Sequence, residues 1–238
     1  MSGHSKWATI KHKKAAIDAK RGKAFTRIAK EISVAAKQSS DPNANPRLRH
    51  LIEKAREMNM PFDNINRAIK RGTGELPGVS YESHLYEGYG PHNVAVIVET
   101  LTDNKNRTVA EIRRLFTSAG GSLAEGGAVS WMFKKLGVIR TKEVTGISED
   151  TMLEKLIDFD INDLQLDDNV FTIICEPQSL EKIKQTLVKE NIAIESAELE
   201  WVAQNKLSLA EAEAQKAITF LEELEEHDDV QNVYANLE

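Results

Sequence analysis

Only one of the 238 residues is a cysteine, Cys175, so the chain can form no internal disulfide, and a cysteine-based metal site is not expected. Cys175 lies in the apolar run Val170–Cys175, where a small buried hydrophobe is the expected role. Long apolar stretches are missing as well. Val94–Val98 and Val170–Cys175 fall far short of the ~18 residues a membrane span needs, and nothing at the start of the chain resembles a secretion signal. A cytoplasmic protein with no membrane partner is the expectation. Catalytic signatures are equally scarce. There is no HExxH, DxDxDG or GxSxG pattern and no set of nucleophile, base and oxyanion donors that could be placed together, so no enzyme activity is expected. His4 and His12 lack the carboxylate or thiol company of a metal pair, and neither a metal nor a cofactor is expected. The hydrophobic share of 41% is enough for at least one real core, which excludes disorder and fibrous architecture.

Charge is present in quantity but unevenly spread. The formal net charge is −6, yet residues 1–71 hold 17 Lys+Arg against 6 Asp+Glu, a net +11. Residues 137–206 hold 7 against 15 and residues 207–238 hold 1 against 9, a net −8 in each. Such asymmetry points to a polyanion held at one end, because a basic surface gains from counterion release while the acidic remainder stays clear of phosphates. The basic segment lacks the bulky apolar face of an interfacial membrane helix, so nucleic acid is the expected partner.

Within that segment the spacing predicts helices. From Ile10 to Gln38 there is no proline and one internal glycine, Gly22, which suggests a short helix, a kink, and a longer helix from Lys23. On a helical wheel Phe25, Ile28, Ala29, Ile32 and Ala36 share one arc, and Lys20, Lys23, Arg27, Lys30 and Lys37 lie opposite, as a stripe expected to face solvent. Asn45-Pro46 is an N-cap followed by proline at the first helical position. Pro61 opens a further helix with Ile65, Ala68 and Ile69 inward, closed by Gly72 as a left-handed cap. Arg67, Lys70 and Arg71 near its end either complement the helix dipole or bind phosphate. Asn64, Asn66 and Arg67 are candidate base readers. Lys6, Lys11, Lys13, Lys14, Lys20, Arg21 and Lys23 are interrupted only by Asp18, whereas a solvated face normally mixes both signs. With Arg27, Lys30, His12 and Trp7 they complete the candidate nucleic-acid-binding set, Trp7 either stacking on a base or anchoring the chain to the bundle.

The remainder reads as α+β. Tyr81–Tyr89 and Asn93–Leu101 form a predicted hairpin, Asp103 or Asn104 caps a helix through Ala119, and Ala128–Phe133 is a predicted strand. The glycine-rich Gly120–Gly127 closes a helix and precedes a strand, the wrong polarity for a phosphate loop, so it reads as a turn. Asp103 with Lys105 and Arg107 is either a small charged site or only a helix cap. From Gly137 the order is β-α-β-β-α-β, that of a ferredoxin-like unit. A last helix over Leu209–Glu226 and a strand over Val230–Asn236 complete the preceding β-β-α-β. The expected architecture is three-domain α+β: a helical basic domain over 1–75, an α+β domain over 76–136 plus 207–238, and an inserted acidic ferredoxin-like domain over 137–206.

Several blocks carry a resemblance. Gly3-His4-Ser5-Lys6-Trp7, Ile10–Ala16 and Asp18–Lys23 resemble the opening of the YebC/PmpR family, which includes the mitochondrial translational activator of cytochrome c oxidase subunit I. Asn45–Arg49 through Pro61, Ala68–Glu75, Tyr86–Pro91, and Leu101–Thr108 onward to Trp131-Met132-Phe133 are similar to it too. Thr9 and His92 depart from the pattern, where asparagine and glycine are expected. The resemblance implies three domains and a DNA-binding transcriptional regulator in the cytoplasm. It also implies an alternative, a translation factor bound to ribosomal RNA in the ribosome and assisting elongation through stretches such as proline runs. A protein-interaction scaffold, with a basic protein docked on the acidic domain, is the alternative of another class.

Overall fold

The computed structural model describes residues 21–238. They divide into two compact units, Trp131–Lys206 and the remaining described residues on either side of it in sequence. The architecture is mixed α+β with two four-stranded antiparallel sheets.

The flanking unit begins with three helices, α1 (Arg21–Ala36), α2 (Pro46–Glu57) and α3 (Phe62–Gly72). α1 starts at Arg21 and includes Gly22; the short helix expected before that glycine lies outside the described residues. Asn45 caps α2 by accepting from Leu48 N, and its amide donates to Ala35 O and Ser39 O, tying α2 to the end of α1. Ile28, Ile32, Ala35, Leu48, Leu51, Ile52, Ile65 and Ala68 form the shared core. Gly72 is not the left-handed cap; Gly74 takes that conformation, with φ +81°. Gly72 is instead where α3 meets α1, since a Cβ there would lie 2.2 Å from Ser33 O and 2.8 Å from Ala36 Cβ.

The sheet of this unit contains β1 (Glu82–Tyr89), β2 (Ala95–Thr102), β3 (Ser122–Ala124) and β8 (Val230–Ala235), in the order β3-β1-β2-β8. α4 (Lys105–Ser118), capped by Asn104, and α7 (Glu211–Glu226) pack on it. Phe116 of α4 meets Phe220 of α7 edge to face at 4.9 Å in the centre of that core. One expectation fails here. The third strand lies inside the glycine-rich stretch and not at Ala128–Phe133, because pairing with Glu87–Tyr89 of β1 captures Ser122–Ala124. The turn that follows is held by Glu87, whose buried carboxylate accepts the backbone N–H groups of Gly127, Val129 and Ser130, each at 2.8 Å. At the β1–β2 connection, His92 adopts φ +57°, the region glycine favours, which explains why glycine is the expected residue there.

The other unit has β4 (Phe133–Thr141), α5 (Glu149–Lys155), β5 (Ile161–Asp167), β6 (Val170–Cys175), α6 (Leu180–Lys189) and β7 (Ile194–Ala203). Its strand order is β5-β6-β4-β7 with antiparallel neighbours. β4 starts at Phe133, five residues before the expected Val138, because β7 pairs along its whole length. Cys175 is in the core, and burial, with Glu176 nearby, pushes its thiol up to about 11. Among the described residues no helix is long and apolar enough to cross a membrane.

Candidate nucleic-acid interface

The polar side of α1 meets the C-terminal end of α7, and that contact decides what the cations of α1 do. A helix C-terminus leaves carbonyls without intrahelical partners and carries the negative end of the dipole. α7 has no basic residue in its last turn; it has Glu222, Glu223, Glu225 and Glu226 instead. α1 supplies the missing cations. Lys23 donates to Glu226 O and Arg27 to Glu225 O. Lys30 donates to Asp228 O at 3.0 Å and to Asp229 Oδ1 at 2.9 Å. Burial lowers the Arg27 pKa, partly offset by the carboxylates of Glu225, Asp228 and Glu31.

The expected solvent-facing stripe is therefore corrected at these positions. Lys30 is buried, at 9% exposure, and Lys23 and Arg27 are half-buried. Lys37 is exposed but donates to Ser80 Oγ and Tyr81 O at 2.9 and 2.7 Å. The wheel separates the core side of α1 from its polar side, but it is silent about a second element, remote in sequence, that covers the polar side. Lys6, Trp7, Lys11, His12, Lys13, Lys14 and Lys20 lie outside the described residues, and Arg21 is the first residue of α1.

Asp229 is the centre of this junction. Oδ1 faces Lys30, and Oδ2 accepts from Arg107 at 2.8 Å with the hydroxyls of Thr108 and Thr102 at 2.8 and 3.0 Å. Burial alone would raise its pKa, but the hydrogen bonds from Arg107, Lys30 and Thr108 outweigh it and hold the carboxyl well below the usual range. Arg107 also pairs with Asp103 at 3.0 Å, so the charged group expected around Asp103 exists, though its main partner comes from the far end of the chain. His227 accepts from Asp229 N at Nδ1 and lies 2.8 Å from Glu111 Oε2 at Nε2. Glu111, His227 and Asp229 bring potential ligand atoms within 4.8 Å of one another. Asp229, however, is already shared by two cations, which oppose a metal ion beside them.

Among the described residues, two concavities of this unit differ in charge. The larger, about 990 Å³, lies by the junction and is lined by Asp103, Glu111, Glu223, Glu226, Asp228 and Asp229 alongside Lys23, Lys30, Arg107 and Arg114. The smaller, about 220 Å³, lies between α1 and α3 and is lined by Phe25, Asn64, Arg67, Arg71 and Tyr81 among others, with no carboxylate among its described lining residues. Arg67, Lys70 and Arg71 are exposed. These exposed α3 cations stand beside the smaller groove. Arg67, Lys70, Arg71 and Asn64 were legible from sequence; the part played by Phe25, Tyr81 and Asp229 was not, since no spacing signal links them.

The description "TACO1/YebC second and third domain" matches residues 81–237, and "TACO1/YebC protein N-terminal domain" matches residues 5–75. The chain belongs to the TACO1/YebC family. A "Probable transcriptional regulatory protein" of Chlorobaculum tepidum is 51% identical over 240 residues, covering 100% of this chain and 95% of the relative. A protein of the same name from Dictyoglomus turgidum is 48% identical, covering 100% and 96%. Among solved structures of the fold, a conserved hypothetical protein from Aquifex aeolicus superposes with a TM-score of 0.84 at 44% identity, covering 94% of this chain and 93% of that one. Family membership thus carries a regulatory role at the level of the relatives' names.

Proposed function

We propose that this protein is a non-catalytic, nucleic-acid-binding regulator, a DNA-binding transcription regulator of the YebC type, that holds phosphates on the exposed face of α3. The observation that supports this is the placement of Arg67 and Arg71 along a groove without described carboxylates, whereas Lys23, Arg27 and Lys30 of α1 are engaged at the end of α7. Lys6, Lys11, Lys13, Lys14 and Lys20 belong to the same basic segment and extend the phosphate contact. In this reading residues 1–75 are the binding domain, 76–136 with 207–238 the supporting α+β domain, and 137–206 an inserted acidic domain kept clear of phosphates, all in the cytoplasm. A second reading, an RNA-bound translation factor, is supported by the size of the groove, which fits an unpaired base better than a duplex.

Crosslinking in cells followed by sequencing tests the proposal. Recovery of promoter DNA supports transcription control, recovery of ribosomal RNA supports the translation reading, and recovery of neither overturns both in favour of a protein scaffold. Crosslinked peptides should map to α3 and to residues 1–20.

A further inference from the structure

The groove between α1 and α3 has features that a simple phosphate grip does not need. Phosphates are held by cations and polar donors and need no aromatic wall, yet this recess is lined by two aromatic side chains, Phe25 and Tyr81, beside the amide of Asn64. Asn64, Arg67 and Arg71 recur at i, i+3 and i+7 on α3, so they share one face of that helix. Lys30 Nζ sits 5.4 Å from the centroid of the Tyr81 ring, while its charge is already matched by Asp229. Lys37 holds the Tyr81 carbonyl. Tyr81 is thereby fixed beside the groove from both its ring and its backbone. The volume of about 220 Å³ is below the roughly 300–1,000 Å³ of sites for drug-sized ligands, so one flat group fits.

Resting on the nucleic-acid reading above, we infer that this groove seats one unpaired nucleotide of a single strand. The base lies against the Tyr81 ring, Asn64 faces its hydrogen-bonding edge, and Arg67 and Arg71 hold the flanking phosphates. Aromatic stacking is tolerant of base identity, because every base has a π-face, and an amide side chain can both donate to and accept from a base edge. A duplex cannot fill the recess without extruding a base, which costs unstacking. The larger crevice is excluded for this ligand by its six carboxylates, which repel phosphate.

The test is fluorescence anisotropy of the full chain with labelled 12-nucleotide oligo(dT) and oligo(U) and with a 12-base-pair duplex, all at one salt concentration. Single strands should bind at least ten-fold tighter than the duplex. Tyr81→Ala should weaken single-strand binding roughly five- to hundred-fold, the range of one stacked base, and leave the duplex unchanged. Tyr81→Phe, which keeps the ring, should bind like the parent, and the duplex affinity retained by Tyr81→Ala shows that its fold is intact. Tighter binding of oligo(U) names RNA as the source of the strand and tighter binding of oligo(dT) names DNA, and either supports the inference. Equal affinity for duplex and single strand, or a single-strand preference unaltered in Tyr81→Ala, overturns it and leaves the nucleic-acid reading standing. Absence of binding to every oligonucleotide overturns both.

Discussion

Replacing Asp229 by asparagine keeps the side chain's shape and removes its charge. In the parent, both oxygens are committed: Oδ1 to Lys30, and Oδ2 to Arg107, Thr108 and Thr102. The side chains of Lys30 and Asp229 are only 10% and 6% exposed, so the variant leaves a buried ammonium facing a neutral amide. Removing one partner of a buried ion pair costs about 3–5 kcal/mol. At roughly 2–4 °C per kcal/mol for a chain of this size, Tm should fall by about 6–20 °C. Lys30→Met in the same background removes the orphaned charge and should restore roughly half or more of the loss, a coupling that a double-mutant cycle reads directly. The effect must also depend on pH. The Asp229 pKa is depressed in the folded state, so its contribution is fully present above the unfolded value of about 3.9 and is lost as pH falls toward the folded value. The stability gap between parent and Asp229→Asn, measured by urea unfolding, should therefore be flat from about pH 5 to 8 and shrink below about pH 4. A loss under about 1 kcal/mol at neutral pH, or no recovery on adding Lys30→Met, would refute the account of this junction.

Gly72→Ala should destabilise the helical layer by about 1–3 kcal/mol, as overpacking does, because its Cβ meets the backbone oxygen of Ser33; denaturant titration with unchanged stability contradicts the close approach of α3 to α1. Glu87→Gln should cost about 1–3 kcal/mol, since an amide nitrogen would face N–H groups that now find a carboxylate, and hydrogen exchange at Gly127, Val129 and Ser130 should accelerate. Hydrogen bonds from those three backbone N–H groups and from Ser130 outweigh burial, which would raise the Glu87 pKa, and lower it; this contribution too is present above the usual carboxylate range and disappears as pH drops through the folded value.

Much of the fold was legible because local rules and tertiary packing agree. Asn45-Pro46 announced α2 to the residue, and the apolar run at Val170–Cys175 is β6. Helix α4 begins after the capping Asn104. What was not legible depended on partners distant in sequence. Three residues at Ser122–Ala124 become a strand only because β1 offers an edge, and Gly72 is set by α1 and not by the turn after it. The same holds for the candidate interface. Charge counting located the basic segment and the α3 cations, but Lys23, Arg27 and Lys30 look like the rest until the acidic end of α7 lies against them. A helical wheel reports amphipathicity, and it cannot report which polar side chains another helix end recruits.

The central claim is that α3, and not the described part of α1, offers cations to a polyanion. Its most direct test is the salt dependence of nucleic-acid binding for two paired variants of equal charge change, Arg67→Gln with Arg71→Gln, and Lys23→Gln with Arg27→Gln. Each lost phosphate contact removes about 0.9 from the slope of log K against log salt on duplex DNA, or about 0.7 on a single strand. The α3 pair should flatten the slope by about 1.4–1.8, and the α1 pair should leave it unchanged while lowering thermal stability. A flattened slope in the α1 pair with an unaltered one in the α3 pair would contradict the account.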